Sequence, residues 1–285
     1  MPHLNQTEAQ TRTQVEDIEL RLFLEAVFLK YHYDFRGYAL ASIKRRLIQA
    51  CQHYDCASFS DLQGLVLRDP ALMTGLLAYL TVQVSELFRD PAYFRAIREK
   101  VVPHLRTYPS LKIWVAGCST GEELYSLAIL FREEGLEERT MFYATDINPD
   151  SLKQAEAGVY AIDRLQTFTE NHRLSGGKSS LSDYYTAAYG WATFDKSLRA
   201  RTVFSDHSLV TDAVFAETQF VSCRNVLIYF NRPLQTRAIG LFRDSLSRHG
   251  FLGLGSRETL RFSPYADDFS EFAYEERLYQ KRGEG

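Results

Sequence analysis

The sequence predicts an α/β protein in which a doubly wound, mostly parallel sheet follows an N-terminal all-α domain. The first hundred residues repeat apolar side chains every three to four positions, as amphipathic helices do. From Lys112 onward, short apolar runs alternate with helical segments, a pattern typical of parallel βαβ units covered on both faces. Residues 160–202 are rich in Ser, Gly, Tyr and Thr and interrupt the alternation as a small inserted subdomain or long loop.

The composition excludes several classes of protein. Of the 285 residues, 45% are hydrophobic and 24% are charged, as is ordinary for a globular chain and unlike a disordered one. The formal net charge of −3 argues against a protein built mainly to bind nucleic acid. Four cysteines are too few for a disulfide framework, and neither a secretory signal nor a membrane-spanning run is visible, so we expect a cytoplasmic protein.

The helical domain is expected over residues 16–102. Its apolar spacing predicts helices at 16–31, 38–54, 59–67 and 71–80. A further helix begins at Asp90-Pro91, where aspartate is a common N-cap and proline fits the first turn. Pro103 and Pro109 bracket a predicted linker into the second domain.

The second domain is expected over residues 103–285. Its predicted elements are strand 113–116, helix 124–134, strand 141–145, a helix from Asn148 to about residue 157, strand 220–223, helix 233–248 and strand 251–254. Open sheets of this kind bind ligands at the carboxyl ends of their strands. The functional residues are therefore expected just after strands 113–116, 141–145 and 220–223.

These three strand ends carry residues suited to a nucleoside. The loop 117–121 has the pattern G-x-x-x-G, which lets the backbone approach a ligand closely. Asp146 ends the next strand, where a carboxylate can accept hydrogen bonds from both hydroxyls of a ribose. Residues 222–225, Ser-Cys-Arg-Asn, lie at the end of the third strand.

The two glutamates just before helix 124–134 indicate which nucleoside the site would bind. The dinucleotide fingerprint G-x-G-x-x-G is absent, and Glu122 and Glu123 would repel a pyrophosphate. S-adenosylmethionine has a ribose, a sulfonium and an ammonium group but no phosphate, so it suits these carboxylates better. A structural alternative is that Ser119 with Glu122, or Thr120 with Glu123, forms a capping box.

Four stretches in this order, VSELFRDPAYF, IWVAGCSTGEELYSLAI, ATDIN and FVSCRNVLIYFN, resemble the chemotaxis receptor methyltransferase family, CheR. The resemblance covers about residues 18–281. It implies a Rossmann-like, class I S-adenosylmethionine-dependent methyltransferase domain with a small inserted β-subdomain. Enzymes of this family methylate glutamate side chains of chemoreceptors and release S-adenosylhomocysteine, and the resemblance implies the same function here.

The resemblance also assigns site residues. It implies cofactor contacts at Gln83, Ser85, Arg89, Ala116, Gly117, Glu123, Asp146, Ile147, Ser208, Leu209, Cys223 and Arg224. Gln83 and Ser85 depart from the family pattern but keep hydrogen-bonding ability, and Ser208 is a third departure. Arg89 and Tyr229 match residues near the transferred methyl group, and we expect Arg89 to position the substrate carboxylate and Tyr229 to orient it. No general base is required, because a glutamate is already ionised near pH 7.

The expected partner is the cytoplasmic part of a chemoreceptor. Residues 30–106 carry eleven Lys or Arg against seven Asp or Glu, and Arg36, Lys44, Arg45 and Arg46 form a basic cluster that fits an acidic helical surface. Some family members also bind a receptor C-terminal peptide as an added strand on the β-subdomain, which corresponds here to residues 160–202. The resemblance leaves open whether this chain does so.

Two other functions stay open. One is a methyltransferase of the same fold that acts on a different protein or substrate. The other is a cofactor-binding regulator without catalysis, which the departures at Gln83, Ser85 and Ser208 keep open. The stretch 51–56, Cys-x-His-x-x-Cys, lacks a fourth ligand, and we expect no metal site there.

Overall fold

A computed structural model of the chain describes residues 3–83 and 85–283, with side chains from residue 14 onward. The backbone falls into two compact units. One comprises the chain up to Val82 together with Tyr229–Leu234, and the other comprises Gln83–Ile228 together with the chain from Gln235 onward. Among the described residues, no helix combines the length and apolar content needed to cross a bilayer.

The first unit is helical, as the sequence predicts. Its described helices are α1 (His3–Tyr31), α2 (Leu40–His53), α3 (Phe59–Arg68) and α4 (Ala71–Leu80). Ser58 caps α3 by accepting a hydrogen bond of 3.1 Å from the backbone N–H of Asp61. Phe23, Leu47 and Leu62 are fully buried, so the apolar faces that predicted these helices form the core of the unit.

The predicted basic cluster is largely neutralised within this unit. Arg46 is buried and donates to the Ser42 hydroxyl at 2.7 Å, and it also bonds the carbonyl of Leu80 at the end of α4. Lys44 pairs with Asp17 at 2.7 Å, and Arg36 pairs with Asp34 at 2.8 Å. Arg36 and Arg45 both lie exposed, although Arg36 is held in its ion pair. The cluster therefore offers less free charge than the sequence suggests.

The boundary between the units differs from the predicted division at residues 102 and 103. Helix α5 (Pro91–Ala96) continues through a π-helical turn (Ile97–Val101) into α6 (Val102–Leu105). The apolar side chains of these turns are buried in the same core as the central strand of the second unit. The chain therefore divides at Val82 and Gln83. Pro103 lies within α6 and does not begin a linker.

The second unit is an α/β structure. Its strands are β1 (Leu111–Ala116), β2 (Thr140–Asp146), β3 (Val159–Ala161), β4 (Tyr185–Ala188), β5 (Trp191–Phe194), β6 (Thr202–Asp206), β7 (Thr218–Cys223), β8 (Leu246–Leu254), β9 (Phe269–Ala273) and β10 (Leu278–Lys281). Its longer helices are α7 (Glu122–Glu133), α8 (Pro149–Ala157), α9 (Leu165–Leu174) and α10 (Arg232–Ser245). The main sheet of the described residues has the order β6-β2-β1-β7-β8-β10-β9, with β10 antiparallel to both neighbours and the first five strands parallel. The predicted doubly wound, mostly parallel sheet is confirmed.

This strand order fixes where a ligand can bind. The order reverses between β1 and β7, because the chain builds outward from β1 through β2 to β6 and then returns to β7. Such a switch point opens a crevice at the carboxyl ends of the strands. Ile113, Trp114 and Val115 of β1 are buried, as expected for a strand covered on both faces.

The insert contains its own small antiparallel sheet, in the order β3-β5-β4. The predicted β-subdomain is thus present, and helix α9 lies between β3 and β4 in the chain. Three strands, β6, β9 and β10, were not predicted from the sequence. Each has only four or five residues, and the exposed Val203 in β6 weakens the alternation that would have indicated a strand.

Candidate functional site

The loop between β1 and α7 turns sharply toward the strand ends. Gly117 (φ 70°), Ser119 (φ 50°) and Gly121 (φ 95°) all have left-handed backbone conformations. Helix α7 begins after Gly121 without a side-chain cap, so neither predicted capping box forms. The hydroxyl of Thr120 instead donates to the carboxylate of Glu122 at 2.7 Å. The loop owes its shape to its left-handed residues and to contacts with the neighbouring strand.

Asp146 at the end of β2 is the neighbour that holds this loop. Its carboxylate accepts the backbone N–H of Ser119 at 2.8 Å and that of Asn148 at 2.9 Å. Burial raises the pKa of Asp146, although these backbone hydrogen bonds act in the opposite direction. Each carboxylate oxygen has two lone pairs, so Asp146 keeps acceptor capacity for a ligand hydroxyl.

The segment after β6 lies beside Asp146. The last residue of β6, Asp206, is paired in register with Asp146, and the N–H of His207 contacts the Asp146 carbonyl at 3.3 Å. Ser208 follows, and its hydroxyl accepts the N–H groups of Val210 and Thr211 at 3.3 and 3.2 Å. Ser208 therefore shapes a turn. The adjacent Leu209 is 7% exposed, and it adds an apolar side chain to this end of the sheet.

Glu123, in the first turn of α7, is joined to the end of β7. Its carboxylate accepts the Ser222 hydroxyl at 2.6 Å and an Arg224 N–H at 3.2 Å. The Tyr93 hydroxyl lies 2.7 Å from that of Ser222. Because Ser222 donates to Glu123, Tyr93 donates to Ser222. Glu123 is thus held by a short chain of donors that begins in α5.

Both terminal nitrogens of Arg224 are bonded to the protein, whereas its buried Nε has no hydrogen-bond partner among the described residues. Its side chain is 1% exposed, and its guanidinium also bonds the Asp90 carboxylate at 2.7 Å and the Arg89 carbonyl at 2.9 Å. The guanidinium carbon lies 4.1 Å from the centroid of the Tyr93 ring. The predicted N-cap at Asp90 is wrong, because Asp90 has φ 59° and makes no side-chain cap bond.

Arg89 lies between two residues with left-handed backbone, Phe88 (φ 51°) and Asp90 (φ 59°). Such a conformation is uncommon for a bulky residue, and it persists where the surrounding structure enforces it. The Phe88 ring is fully buried, and its N–H donates to the Ser126 hydroxyl at 2.7 Å. The turn that presents Arg89 is therefore anchored by its neighbours.

The remaining predicted residues differ in accessibility. Gln83, Ser85, Gly117 and Ile147 are partly exposed, whereas Ala116 and Cys223 are buried in strands. Burial raises the pKa of the Cys223 thiol, which disfavours a nucleophilic thiolate there.

Tyr229 groups with the helical unit, whereas the other predicted site residues belong to the second unit. Its carbonyl accepts the Ala39 N–H at 2.8 Å, and its ring lies 5.3 Å from the Arg46 guanidinium carbon.

Sequence reasoning missed Glu258, a buried carboxylate beneath the segment after β7. It is 4% exposed and accepts the N–H groups of Gly255, Asn225 and Ile228 at 2.7, 3.0 and 3.2 Å. Asn225 has φ 60°, so this carboxylate supports a left-handed turn. No motif in the sequence marks Glu258. Tyr93 was also missed, because nothing near it in the chain signals its bond to Ser222, whereas Ser222 lies in the strand-end segment 222–225 that the sequence singled out.

The polar side chains at these strand and helix ends fit S-adenosylmethionine. Asp146 would offer a carboxylate to ribose hydroxyls, and Glu123 would offer one to the cationic end of the cofactor. The Ser119 hydroxyl is buried and has no hydrogen-bond partner among the described residues, so a polar partner is missing at the loop between the two carboxylates. Asp146 and Glu123 flank the switch point of the sheet, where this fold binds its ligands.

The chain is similar to known methyltransferases along most of its length. Residues 83–274 match the family model described as CheR methyltransferase, SAM binding domain, and residues 18–81 match CheR methyltransferase, all-alpha domain. A Pseudomonas putida protein named as a methyltransferase, Cher3, is 58% identical over 93% of this chain and 97% of its own. A chemotaxis protein methyltransferase of Klebsiella aerogenes is 31% identical over 83% and 82% of the two chains, and one of Listeria innocua is 29% identical over 80% and 84%. This chain belongs to the CheR methyltransferase family, and its cofactor is S-adenosylmethionine.

Proposed function

We propose that this methyltransferase transfers the methyl group of S-adenosylmethionine to glutamate carboxylates of chemoreceptors, in the cytoplasm. Relatives over most of the chain, from Klebsiella aerogenes and Listeria innocua, are named chemotaxis protein methyltransferases. The observation that carries the proposal is the pair of anchored carboxylates in a chain of this family, Glu123 in the first turn of α7 and Asp146 at the end of β2.

In methyl transfer, the main task of the protein is to orient the two bound reactants. S-adenosylmethionine would supply an electrophilic methyl on a sulfonium: an oxygen of the glutamate carboxylate bonds to the methyl carbon while its C–S bond breaks and neutral S-adenosylhomocysteine leaves. The carboxylate is already ionised, so no general base is needed. Asp146 holds the ribose and Glu123 faces the ammonium group. Arg89 positions the substrate carboxylate, and Tyr229 orients it. Alignment of two bound reactants can supply about 7–11 kcal/mol of the barrier.

The proposed partner is the cytoplasmic domain of a chemoreceptor. A receptor C-terminal peptide would add as a strand along β4, an outer strand of the small sheet. Two observations support this docking. The β4 residues 186–188 are exposed, the adjoining turn carries the fully exposed Tyr189, and β5 begins with the half-exposed Trp191. Aromatic side chains of this kind are favoured at recognition surfaces.

Labelled methyl transfer tests the proposal. The purified protein is incubated with S-adenosylmethionine that carries a labelled methyl group and with membranes that contain chemoreceptors. We expect label in the receptor band and its release by mild base, because esters hydrolyse whereas N-methyl groups do not. Label in other proteins alone would point to a different acceptor. Binding of S-adenosylhomocysteine without any transfer would point to a cofactor-binding regulator.

A further inference from the structure

Helix α9 of the insert lies against the segment that leads to Arg89. Asn171, on this helix, donates from its side-chain amide to the Leu87 carbonyl at 3.1 Å. Arg164, just before the helix, donates to the Ser85 carbonyl. The carbonyls of Ser85 and Leu87 are thus both bonded to donors of the insert, one just before α9 and one on it.

Phe88 adds an aromatic contact to these hydrogen bonds. The centroids of the Phe88 and His172 rings are 4.9 Å apart, and His172 is 2% exposed on α9. On its other side, the Phe88 N–H donates to Ser126 of α7. The left-handed conformation of Phe88 is therefore held between a helix of the main sheet and a helix of the insert.

Arg164 links the same segment to the start of α7. Its other terminal nitrogen donates to the Glu122 carboxylate at 2.8 Å, and Glu122 is fully buried. The guanidinium carbon lies 4.8 Å from the centroid of the Phe168 ring. The Glu122 carboxylate and the Phe168 ring thus hold the Arg164 guanidinium in place, and they fix the point from which it donates to the Ser85 carbonyl.

The insert also forms a wall beside the predicted cofactor contacts. A cleft of about 310 Å³ is lined by Gln83, Ser85, Glu86, Arg164, Thr167 and Phe168. One side comes from the segment that precedes Arg89, and the other comes from the start of α9. A displacement of α9 would change both the shape of this cleft and the segment that lines it.

We infer that Arg164 and Asn171 are positioning residues, through which the insert holds residues 85–89 in the conformation that binds S-adenosylmethionine. The inference rests on the proposed function, because it assumes that Ser85 and Arg89 face the cofactor. It gives the insert a role in the chemistry itself, in addition to any docking of a receptor peptide on its sheet.

The test uses Asn171→Ala and Arg164→Lys in the full chain. Asn171→Ala removes the donor to Leu87. Arg164→Lys keeps a positive charge for Glu122, but a single ammonium group replaces the fork that reaches both partners. We expect calorimetry to show S-adenosylhomocysteine binding at least fivefold weaker in each variant. The Tm should stay within a few degrees of the parent. In steady-state assays, the KM for S-adenosylmethionine should rise more than kcat falls.

Matched controls come from the solvent side of the same helix. Arg173 pairs with Glu170 at 2.7 Å, and both side chains are more than half exposed, so Arg173→Lys should leave binding unchanged. Gln166→Ala is the corresponding control for Asn171→Ala, because Gln166 is exposed.

Two results would overturn the inference. One is unchanged S-adenosylhomocysteine affinity in both variants. The other is an affinity loss that appears only together with a large fall in Tm, which would assign these contacts to stability alone. Failure of the parent protein to bind S-adenosylhomocysteine would instead refute the proposed function, and the inference with it.

Discussion

The guanidinium of Arg224 lies 3.2 Å from the carboxylate of Glu123 and joins the end of β7 to the first turn of α7. We predict that Arg224→Gln destabilises the protein by about 3 kcal/mol, because it leaves a largely buried carboxylate without its charged partner. We also expect S-adenosylhomocysteine to bind about tenfold more weakly, which corresponds to about 1.4 kcal/mol. Urea unfolding and calorimetry measure the two effects.

Arg243→Gln is a closely matched control for this change. Arg243, like Arg224, pairs with two carboxylates, those of Asp244 at 2.7 Å and Asp268 at 3.3 Å, and its guanidinium lies 4.3 Å from the Tyr265 ring. Its side chain is 31% exposed and its partners about half exposed, so we expect a loss of less than about 1 kcal/mol and no change in cofactor binding. Equal losses in the two variants would contradict the prediction that burial makes Arg224 important.

Arg89 is expected to act on the substrate. We predict that Arg89→Ala lowers the methylation rate at least tenfold, because the substrate carboxylate loses the cation that positions it. Single-turnover methyl transfer at saturating S-adenosylmethionine measures this step directly. Arg201→Ala removes an arginine from an exposed surface pair with Glu138 and should leave the rate unchanged. A normal rate in Arg89→Ala would remove Arg89 from the catalytic assignment.

The sequence was sufficient to predict the parts of this fold that repeat a pattern. The apolar periodicity predicts α2 to α4 closely. The loop motif 117–121 and the strand before Asp146 indicate where Glu123 and Asp146 lie. Glycines at positions 117 and 121 predict a sharp loop, because both positions have the left-handed backbone that glycine adopts most easily. These predictions depend on neighbours in the chain, and single-sequence reasoning can use such local information.

The parts that sequence reasoning missed depend on contacts between distant residues. Glu258 bonds backbone groups thirty and more positions away, and nothing near it in the chain signals a buried carboxylate. Asp90 has the sequence of an N-cap, but its carboxylate pairs with Arg224 from β7. Arg46 has the sequence of a solvated helix face, yet it is buried against the end of α4. Local propensity yields to tertiary partners at all three positions.

The buried contacts of Glu133 with Arg98 and His172 make the free energy of unfolding depend on pH. Glu133 is 2% exposed; burial opposes its ionisation, but the hydrogen bond from His172 and the charge of Arg98 outweigh this and lower the pKa of Glu133 to about 2. A carboxyl with a lowered folded-state pKa stabilises the fold above its ordinary value of 4.5, and this contribution is lost as the pH falls toward 2. We therefore predict that Glu133→Gln lowers the unfolding free energy at pH 7 and flattens its decline between about pH 5 and 3.

Urea unfolding at a series of pH values measures this prediction. Glu170→Gln is the control, because Glu170 pairs with Arg173 on an exposed helix face and its removal should leave the pH dependence close to that of the parent. An unchanged slope in Glu133→Gln would mean that other carboxyl groups dominate the acid sensitivity.

Gly253 in β8 is predicted to be indispensable to the Tyr93–Ser222–Glu123 chain of hydrogen bonds. A Cβ atom at this position would lie 1.9 Å from the Tyr93 hydroxyl and 2.8 Å from the ring carbon that bears it. The Tyr93 ring is 2% exposed, so it cannot move aside without disturbing the core. We expect Gly253→Ala to cost about 1–3 kcal/mol of unfolding free energy and to weaken S-adenosylhomocysteine binding, since Ser222 loses its donor.

A glycine with open space gives the opposite expectation. At Gly64, in α3, the nearest atom to an added Cβ is the end of the Arg68 side chain at 3.7 Å, so Gly64→Ala should stabilise the protein by about 0.5–1 kcal/mol.

In a Tyr93→Phe background, the clashing hydroxyl is absent and the cost of Gly253→Ala should shrink. A double-mutant cycle in urea unfolding measures this coupling. Additive costs would show that Gly253 is required for a reason other than the Tyr93 hydroxyl.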